Sequence, residues 1–171
     1  ITVPDLKRHG GVSALFNLLK LESDQIKYFS VHKKYLGRIL PSSIHYLLMN
    51  IDFFFQALKY EIIHVNPSMN KRSYFRDGIL AFIGRKIGKK VVVYWHGWDS
   101  EFSAKIIKSK KRKMFFTLLY HKTNLHIVLG NCFKNELIDF GIPANKIKIE
   151  SNAASDEFLK QTNTLTNKKI N

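Results

Sequence analysis

Short runs of β-branched and aromatic residues alternate along the chain with longer stretches whose apolar residues recur at helical spacing. This alternation is typical of a parallel β-sheet whose strands are joined by crossover helices. The sequence therefore predicts an α/β fold, with a Rossmann-like parallel sheet flanked by helices. The predicted strands are residues 25–31, 61–65, 90–95, 125–129 and 146–149, and the predicted helices are residues 11–22, 42–59, 71–87, 102–120 and 131–140.

The two ends of the chain depart from this alternation. Ile1, Thr2 and Val3 read as the last residues of a first strand that runs into a loop, so we expect the numbering to begin inside a longer protein. Residues 161–171 are polar and have no apolar period. We therefore expect one Rossmann-like domain over residues 1–158, followed by a polar tail or linker over residues 159–171.

Length and composition fit a single domain with its own core. The chain has 171 residues, of which 45% are hydrophobic and 24% are charged, and this length is too short for two ordinary domains. Its one cysteine, Cys132, has no partner for an intrachain disulfide, and no signal-peptide pattern opens the sequence. The most apolar stretch, residues 44–58, is interrupted by polar side chains and is shorter than a membrane span. These features favour a reducing, cytoplasmic setting.

Positive charge dominates the chain, with 28 Lys and Arg against 13 Asp and Glu and a net charge of +15. Such a charge attracts polyanions: nucleic acid, anionic lipid headgroups or phosphorylated substrates. It is densest over residues 105–113, where six of nine residues are basic. This run is either a solvated helix face or a surface that contacts anionic membrane lipid, and the apolar residues that border it favour lipid over nucleic acid. Its basic residues are Lys105, Lys108, Lys110, Lys111, Arg112 and Lys113.

The motif His96-Gly97-Trp98-Asp99 directly follows the most hydrophobic of the predicted strands. Doubly wound folds bind their ligands at this carboxyl end of the parallel strands. His96 can exchange a proton near neutral pH or hydrogen-bond a sugar hydroxyl, and Asp99 could orient it or bind hydroxyls itself. A lone histidine at a strand end can equally be structural. The position nevertheless makes His96 the strongest candidate in the chain for a site residue.

Polar residues follow a neighbouring strand at the same edge of the predicted sheet. Asn66 and Ser68 come after the strand that ends at residue 65, and small polar side chains suit sugar hydroxyls or a phosphate. Lys71, Arg72 and Arg76 follow on the first turns of the next helix. These basic side chains either bind a diphosphate group of a ligand or form a solvated helix face.

Two further predicted helices begin at the ends of strands. Gly10 and Gly11 open the first helix, where a flexible backbone could approach a phosphate or a sugar closely, although a tight turn is the alternative. Asn131 is expected to cap the last helix. Cys132, beside it, has no motif that would make it a nucleophile. The sequence has no Cys, His or carboxylate spacing typical of metal ligands and no GxSxG turn.

Taken in order, these segments resemble the N-terminal domain of glycosyltransferase family 4, a retaining group with the two-domain GT-B fold. HGGVSALFNLL resembles the family's glycine-rich loop and first helix, and YEIIHVNPS and GKKVVVYWHGWD resemble two of its strands. The most specific match is TNLHIVLGNCFKNELIDFGIPANKIKIESNAASDEF, which joins a strand, a helix, a turn and a second strand at the family's spacing. Together the four segments cover most of the chain from His9 to Phe158.

The resemblance implies the N-terminal half of a retaining glycosyltransferase. Such an enzyme transfers a sugar from a nucleotide sugar to a glycan or lipid-linked acceptor in cell-surface polysaccharide synthesis. Carried over by position, Gly10 and Gly11 lie near the donor phosphates and the acceptor, and His96 reaches the transferred sugar or the acceptor. Asn131 stands where the family usually has Ser. The expected acceptor-binding residues are Asn66, Ser68, Lys71, Arg72, Trp98, Asp99 and Asn131.

The resemblance also bears on cofactors and location. The nucleotide sugar is a co-substrate, no metal is expected, and the C-terminal domain that binds most of the donor is absent from these residues. This chain alone should therefore bind a nucleotide sugar poorly and should not turn over. A lipid-diphosphate-linked acceptor at the inner face of the cytoplasmic membrane suits the positive charge. One departure is Ser151-Asn152-Ala153, which stands where the family has Pro-Asn-Gly.

Two other classes of protein remain as alternatives. A basic Rossmann-like module could bind nucleic acid without catalysis, but the basic residues are scattered over several elements and no RNA- or DNA-binding motif is present, so we expect no nucleic-acid partner. A methyltransferase or dehydrogenase would need a complete glycine fingerprint and an acidic residue after the second strand. Neither is visible in the sequence.

Overall fold

The computed structural model describes residues 1–7, 10–19, 21, 23–32 and 41–151. The predicted domain boundary at residue 158 and the predicted tail lie outside these described residues.

Within these residues, eight short strands form three groups of parallel strands. In chain order they are β1 (Thr2–Val3), β2 (Phe29–Ser30), β3 (Ile62–Val65), β4 (Ser68–Met69), β5 (Lys90–Tyr94), β6 (Gly97–Trp98), β7 (Leu125–Val128) and β8 (Ile147–Ile149). The main sheet has the order β3-β5-β7-β8, and β1 pairs with β2 while β4 pairs with β6. Every pairing is parallel. Since β1 also contacts β3, the β1-β2 pair lies beside the main sheet.

In the part of the chain that the structure describes, six α-helices accompany these strands. They are α1 (Gly11–Leu19), α2 (Ser42–Ala57), α3 (Lys71–Lys86), α4 (Ser100–Ile107), α5 (Lys110–Phe116) and α6 (Asn131–Asp139), with a π-helical turn at Thr117–His121 and a 3-10 turn at Ala144–Lys146. The predicted fold class is confirmed at this level: the chain is α/β, with a parallel sheet flanked by helices, and this architecture is consistent with a Rossmann-like fold. The five predicted strands are all present, although the one at residues 25–31 is reduced to β2.

The prediction of one helix over residues 102–120 is wrong. The segment forms α4, α5 and the π-helical turn, with a break around Ser109. Asp99 caps α4 by accepting a hydrogen bond from the N–H of Phe102 (3.0 Å), and Ser109 Oγ accepts one from the N–H of Arg112 (3.4 Å) at the start of α5. Serine and aspartate are preferred at this position because they satisfy amides that a helix leaves unpaired at its start.

The core lies on one face of the main sheet. Side chains alternate between the two faces of a strand, and Ile63, Val65, Val91, Val93 and Val128 are all at most 6% exposed. Fully burying one such side chain contributes roughly 1.5–3 kcal/mol. Helices α3 and α6 cover this face. On the opposite face, α1 places a phenylalanine ring against the side chain of the β3 histidine.

Helix α2 corresponds to the most apolar stretch of the sequence. Its inner side chains Met49, Phe53 and Ala57 are buried, while Leu47 and Phe55 on its outer side are about 60% exposed. Among the described residues, no helix has both the length and the apolar character that a membrane span would need.

Candidate functional site

Three strand ends meet at the carboxyl edge of the sheet and bring Thr2, Asn66 and His96 together. The Asn66 side chain donates from Nδ2 to the carbonyl oxygen of Thr2 (2.6 Å), and its backbone N–H donates to Thr2 Oγ1 (3.3 Å). Asn66 Oδ1 then faces His96 Nε2 at 2.8 Å. Asn66 and Thr2 are both buried, so the contact to His96 rests on a fixed support.

This arrangement determines the tautomer of His96. Because the Asn66 amide nitrogen already donates to Thr2, the atom facing the imidazole is the amide oxygen, an acceptor. Nε2 must therefore carry the hydrogen, which leaves Nδ1 as an acceptor in the neutral ring. Burial lowers the pKa of His96 to about 4, so the ring is neutral at physiological pH. His96 is suited to accept a hydrogen bond from a hydroxyl and is unsuited to act as an acid.

A row of aromatic rings packs against the imidazole of His96. The ring of Tyr94 lies 4.1 Å from that of His96, centroid to centroid. His64 stacks on Tyr94 at 6.2 Å, and Phe16 of α1 meets His64 edge-on at 6.3 Å. These contacts make His64 a packed side chain. The row connects the start of the first helix to the imidazole.

The short pair β4-β6 forms the rim of the site. Gly97 lies opposite Ser68 in this pair, and a Cβ atom at Gly97 would stand 3.0 Å from Ser68 Oγ and 3.2 Å from Ser68 Cβ. The backbone of His96 also donates to the carbonyl of Pro67 (3.0 Å). A side chain at Gly97 would thus crowd the side chain of Ser68 on the neighbouring strand.

A buried polar network holds this rim from behind. The backbone N–H of Ser68 donates to Ser73 Oγ (2.8 Å), which donates to Asp77 Oδ2 (2.6 Å). Arg76 binds the same carboxylate through two nitrogens, at 2.8 and 2.9 Å, and Asp77 is 1% exposed. The hypothesis that Arg76 clamps a diphosphate is therefore wrong for this structure, because its guanidinium is paired with a buried carboxylate.

The other predicted basic clamp residues remain at the surface. Lys71 and Arg72 are exposed on the first turn of α3, which Asn70 caps by accepting from the N–H of Ser73 (3.0 Å). Their positions near the ends of β4 and β6 place positive charge beside the strand edge. The structure thus brings them to the same side of the molecule as His96.

Trp98 and Asp99 have structural partners. The indole N–H of Trp98 donates to Glu136 Oε2 (2.9 Å), and its ring stacks on Phe133 with 4.8 Å between centroids. Ser103 Oγ donates to the same Glu136 oxygen. The carboxylate of Asp99 caps α4, as described above. Sequence reasoning missed Glu136, which joins α6 to the site through two donors that are distant in the sequence.

The two predicted helix starts differ in how they are capped. Gly130, and not Asn131, is the N-cap of α6, and no side chain caps that helix. The prediction that Asn131 is the cap is wrong; it is the first, exposed residue of the helix. Gly10 and Gly11 are exposed at the start of α1, and a Cβ atom at either would meet no described atom within 4 Å. Packing among the described residues therefore does not require glycine at these two positions.

The basic run extends over α4, α5 and the residues between them. Its six basic residues, Lys105, Lys108, Lys110, Lys111, Arg112 and Lys113, are all exposed. Four apolar side chains near them, Ile107, Met114, Phe115 and Leu118, are 44–63% exposed. We call these ten residues the basic–apolar face. Among the described residues, no group of three or more His, Cys, Asp or Glu side chains is placed to hold a metal ion.

Neither a scan against protein-family models nor a search of the curated proteins finds a match to this chain.

Proposed function

We propose that this chain is the N-terminal, acceptor-side domain of a retaining glycosyltransferase with the GT-B fold. The whole enzyme would transfer a sugar from a nucleotide sugar to a glycan or lipid-linked acceptor in the synthesis of a cell-surface polysaccharide. The observation that carries the proposal is the neutral His96, fixed by Asn66 at 2.8 Å. It stands at the carboxyl edge of the sheet, where the resembled family has its own histidine. The last three of the four resembling segments contain β3, β5, β7 and β8, which are neighbours in this order in the main sheet.

The role of His96 follows from its tautomer. Nδ1 accepts a hydrogen bond from a hydroxyl of the transferred sugar or of the acceptor, and Nε2–H is held by Asn66. The low pKa, about 4, keeps this acceptor available at neutral pH. A hydroxyl that is held in the reactive geometry has already lost its orientational entropy when the substrate binds. That loss then no longer adds to the activation free energy of the transfer.

The starts of α1 and α6 supply the electrostatic part of the proposal. Gly10 and Gly11 are exposed at the start of α1, and no side chain among the described residues caps α6. Backbone N–H groups at the start of a helix stabilise negative charge. They are suited to the diphosphate that departs when the sugar is transferred. Most of the nucleotide would bind to the second domain of the enzyme.

The basic–apolar face suggests where the enzyme works. Interfacial helices combine basic residues, which attract anionic headgroups, with exposed apolar side chains that enter the lipid. Both kinds are present on α5, where Lys110 and Lys111 accompany Met114 and Phe115. We propose peripheral attachment to the inner face of the cytoplasmic membrane, close to a lipid-linked acceptor.

A transfer assay tests the proposed function. The protein, extended through its second domain, is incubated with a panel of nucleotide sugars and with membrane lipid extract as acceptor, and His96→Ala is compared with wild type. We expect transfer by the wild type and a loss of about 100-fold in the folded variant, the scale of one lost positioning or electrostatic contact. His121→Ala, at the opposite edge of the sheet, is the matched control and should retain activity. Absence of transfer with every donor would refute the proposal.

A further inference from the structure

A groove lies between the first turns of α3 and the pair α4–α5. Its volume is about 530 Å³. Tyr74, Phe75 and Phe102 contribute aromatic rings to its lining, and Asp99, which directly follows β6, also lines it. Because Asp99 follows His96 by only three residues, the groove opens beside the candidate site.

Three cations from three helices line this groove: Lys71 of α3, Lys105 of α4 and Arg112 of α5. The backbone carbonyl of Lys105 accepts a hydrogen bond from Arg112 Nη1 (3.5 Å), which ties α5 to α4. Among the described residues that line the groove, the one carboxylate is that of Asp99, which already accepts a hydrogen bond as the cap of α4. An excess of positive charge thus faces a partly apolar space, and such a space suits an anion that carries an apolar group.

Tyr74 is the second observation that points to a ligand. The residue is 1% exposed, and its buried hydroxyl has no hydrogen-bond partner among the described residues. An unpaired buried hydroxyl is destabilising and is rare in folded proteins. Burial raises the pKa of Tyr74 above its usual range, so the hydroxyl stays protonated and can donate. A phosphate oxygen in the groove would supply the acceptor that the fold does not.

The apolar part of the ligand has a continuous path from the groove to the surface. Phe75 lines the groove, and its ring meets that of Phe115 edge-on, with 6.3 Å between centroids. Phe115 belongs to the basic–apolar face. An apolar chain attached to a phosphate in the groove would therefore pass over two aromatic rings towards that face.

We propose that this groove binds a phosphate or diphosphate group that carries an apolar substituent, through Lys71, Lys105, Arg112 and the hydroxyl of Tyr74. The proposal rests on the proposed function only in identifying this ligand as the acceptor of the transfer. The phosphate could belong to a membrane lipid or to a soluble phosphate ester, since both present the same chemistry to the groove.

Calorimetric titration of the full chain with inorganic pyrophosphate tests the groove. We expect binding that becomes about tenfold weaker in Lys71→Gln and in Arg112→Gln, since each substitution removes a charge-assisted hydrogen bond to the phosphate. Tyr74→Phe keeps the ring and removes only the unpaired hydroxyl. This variant should fold normally and bind pyrophosphate more weakly. Lys148→Gln, on the exposed end of β8, is the matched control and should bind as wild type does.

Competition identifies the source of the phosphate. Vesicles of phosphatidylcholine with phosphatidic acid should displace pyrophosphate if the groove takes a lipid phosphate, and pure phosphatidylcholine vesicles should not. Pyrophosphate binding without such displacement indicates a soluble ester, and either result supports a phosphate site. Binding that is equal in Lys71→Gln, Arg112→Gln and Lys148→Gln would overturn the inference. Because these titrations do not require transfer, the groove and the proposed function can fail independently.

Discussion

The Nε2 atom of His96 lies 2.8 Å from Oδ1 of Asn66, and this hydrogen bond decides which nitrogen of the ring is left to meet a ligand. Asn66 can present only its oxygen, because its amide nitrogen is held by the carbonyl of Thr2 at 2.6 Å. Thr2 of β1 therefore fixes the candidate site through the side-chain amide of Asn66, the residue that follows β3.

The protonation of His96 is the first testable consequence. We expect its imidazole to stay neutral down to about pH 5, with the hydrogen on Nε2, because burial lowers its pKa to about 4. Nitrogen-15 NMR of the ring distinguishes the two tautomers and follows the titration. In Asn66→Asp, the nearby negative charge should raise the pKa of His96 by at least about one unit. A wild-type pKa near 6.5, or a hydrogen on Nδ1, would contradict the geometry described here.

The stability of the fold should fall in mild acid. Burial lowers the pKa of His126 to about 3, whereas a histidine in the unfolded chain titrates near 6.5. As the pH falls below that value, the unfolded chain takes up a proton that the folded chain does not, so stability is complete above about pH 6.5 and declines below it. His126 alone should lower the free energy of unfolding by about 2 kcal/mol between pH 7 and pH 5.

Urea denaturation at the two pH values measures this change. The effect has a clear structural origin, because both nitrogens of His126 are engaged: Trp95 Nε1 donates to Nδ1 at 3.2 Å, and Nε2 lies 2.7 Å from Thr123 Oγ1. The variant His126→Gln should show a shallower dependence on pH than the wild type. An unchanged slope in His126→Gln would assign the acid sensitivity to other groups.

The close approach of β4 and β6 predicts a penalty for a single methyl group. In Gly97→Ala the new Cβ would meet Ser68 Oγ at 3.0 Å, and overpacking of this kind costs about 1–3 kcal/mol. We expect a loss of stability in that range, measured by urea denaturation. Removing the opposing side chain in the double variant Gly97→Ala/Ser68→Gly should restore part of the loss.

Gly130→Ala is the control for this experiment. Gly130 has an extended backbone with φ of −174°, and a Cβ atom there meets no described atom within 4 Å. Its substitution should cost less than about 1 kcal/mol, because alanine is less favourable than glycine at a helix N-cap. Equal losses in Gly97→Ala and Gly130→Ala would show that backbone freedom, and not the contact with Ser68, governs both positions.

The basic–apolar face predicts binding to anionic membranes. Sedimentation with phosphatidylglycerol-containing vesicles should decrease at least about tenfold in Lys110→Glu/Lys111→Glu, since each basic residue near the surface contributes about 1 kcal/mol. Replacing Met114 and Phe115 with Ser should weaken binding at high salt as well, because the apolar contribution is not screened.

Leu47→Ser is the matched control for the apolar pair, because Leu47 is 59% exposed on α2 and lies outside the basic–apolar face. Lys59→Glu is the control for the charge reversal. Both variants should bind the vesicles as the wild type does. Equal loss of binding in the control variants would show that the membrane contact is not specific to the basic–apolar face. Equal binding to neutral and anionic vesicles would contradict an attraction to anionic lipid.

Periodicity in the sequence was enough to predict the sheet and the edge at which the site lies. Because parallel strands end at the same edge, the expectation that Asn66 and His96 lie together needed only the positions of two strands. Thr2 could not be identified in this way, since it bonds to Asn66 across 64 residues of chain. Glu136 was missed for the same reason, because its partner Trp98 is 38 residues away.

Local signals explain the remaining differences. The break at Ser109 had a signal in the sequence, because serine is a residue that often caps helices. The helical spacing of the apolar residues on both sides of it concealed this signal. The pairing of Arg76 with Asp77 had no such signal. Adjacent opposite charges are common on helix surfaces, and only the burial of Asp77 reveals that this pair belongs to the support of the site.

The link from Thr2 through Asn66 to His96 also joins folding to the candidate site. β1 pairs with β2 over only two residues, so the first strand has few hydrogen bonds of its own, and part of its attachment to the rest of the sheet is the amide of Asn66. If β1 detached, that amide could turn over and present its nitrogen to the imidazole, and the ring would exchange one tautomer for the other. The nitrogen signals of this one histidine thus report whether the first strand of the protein is in place.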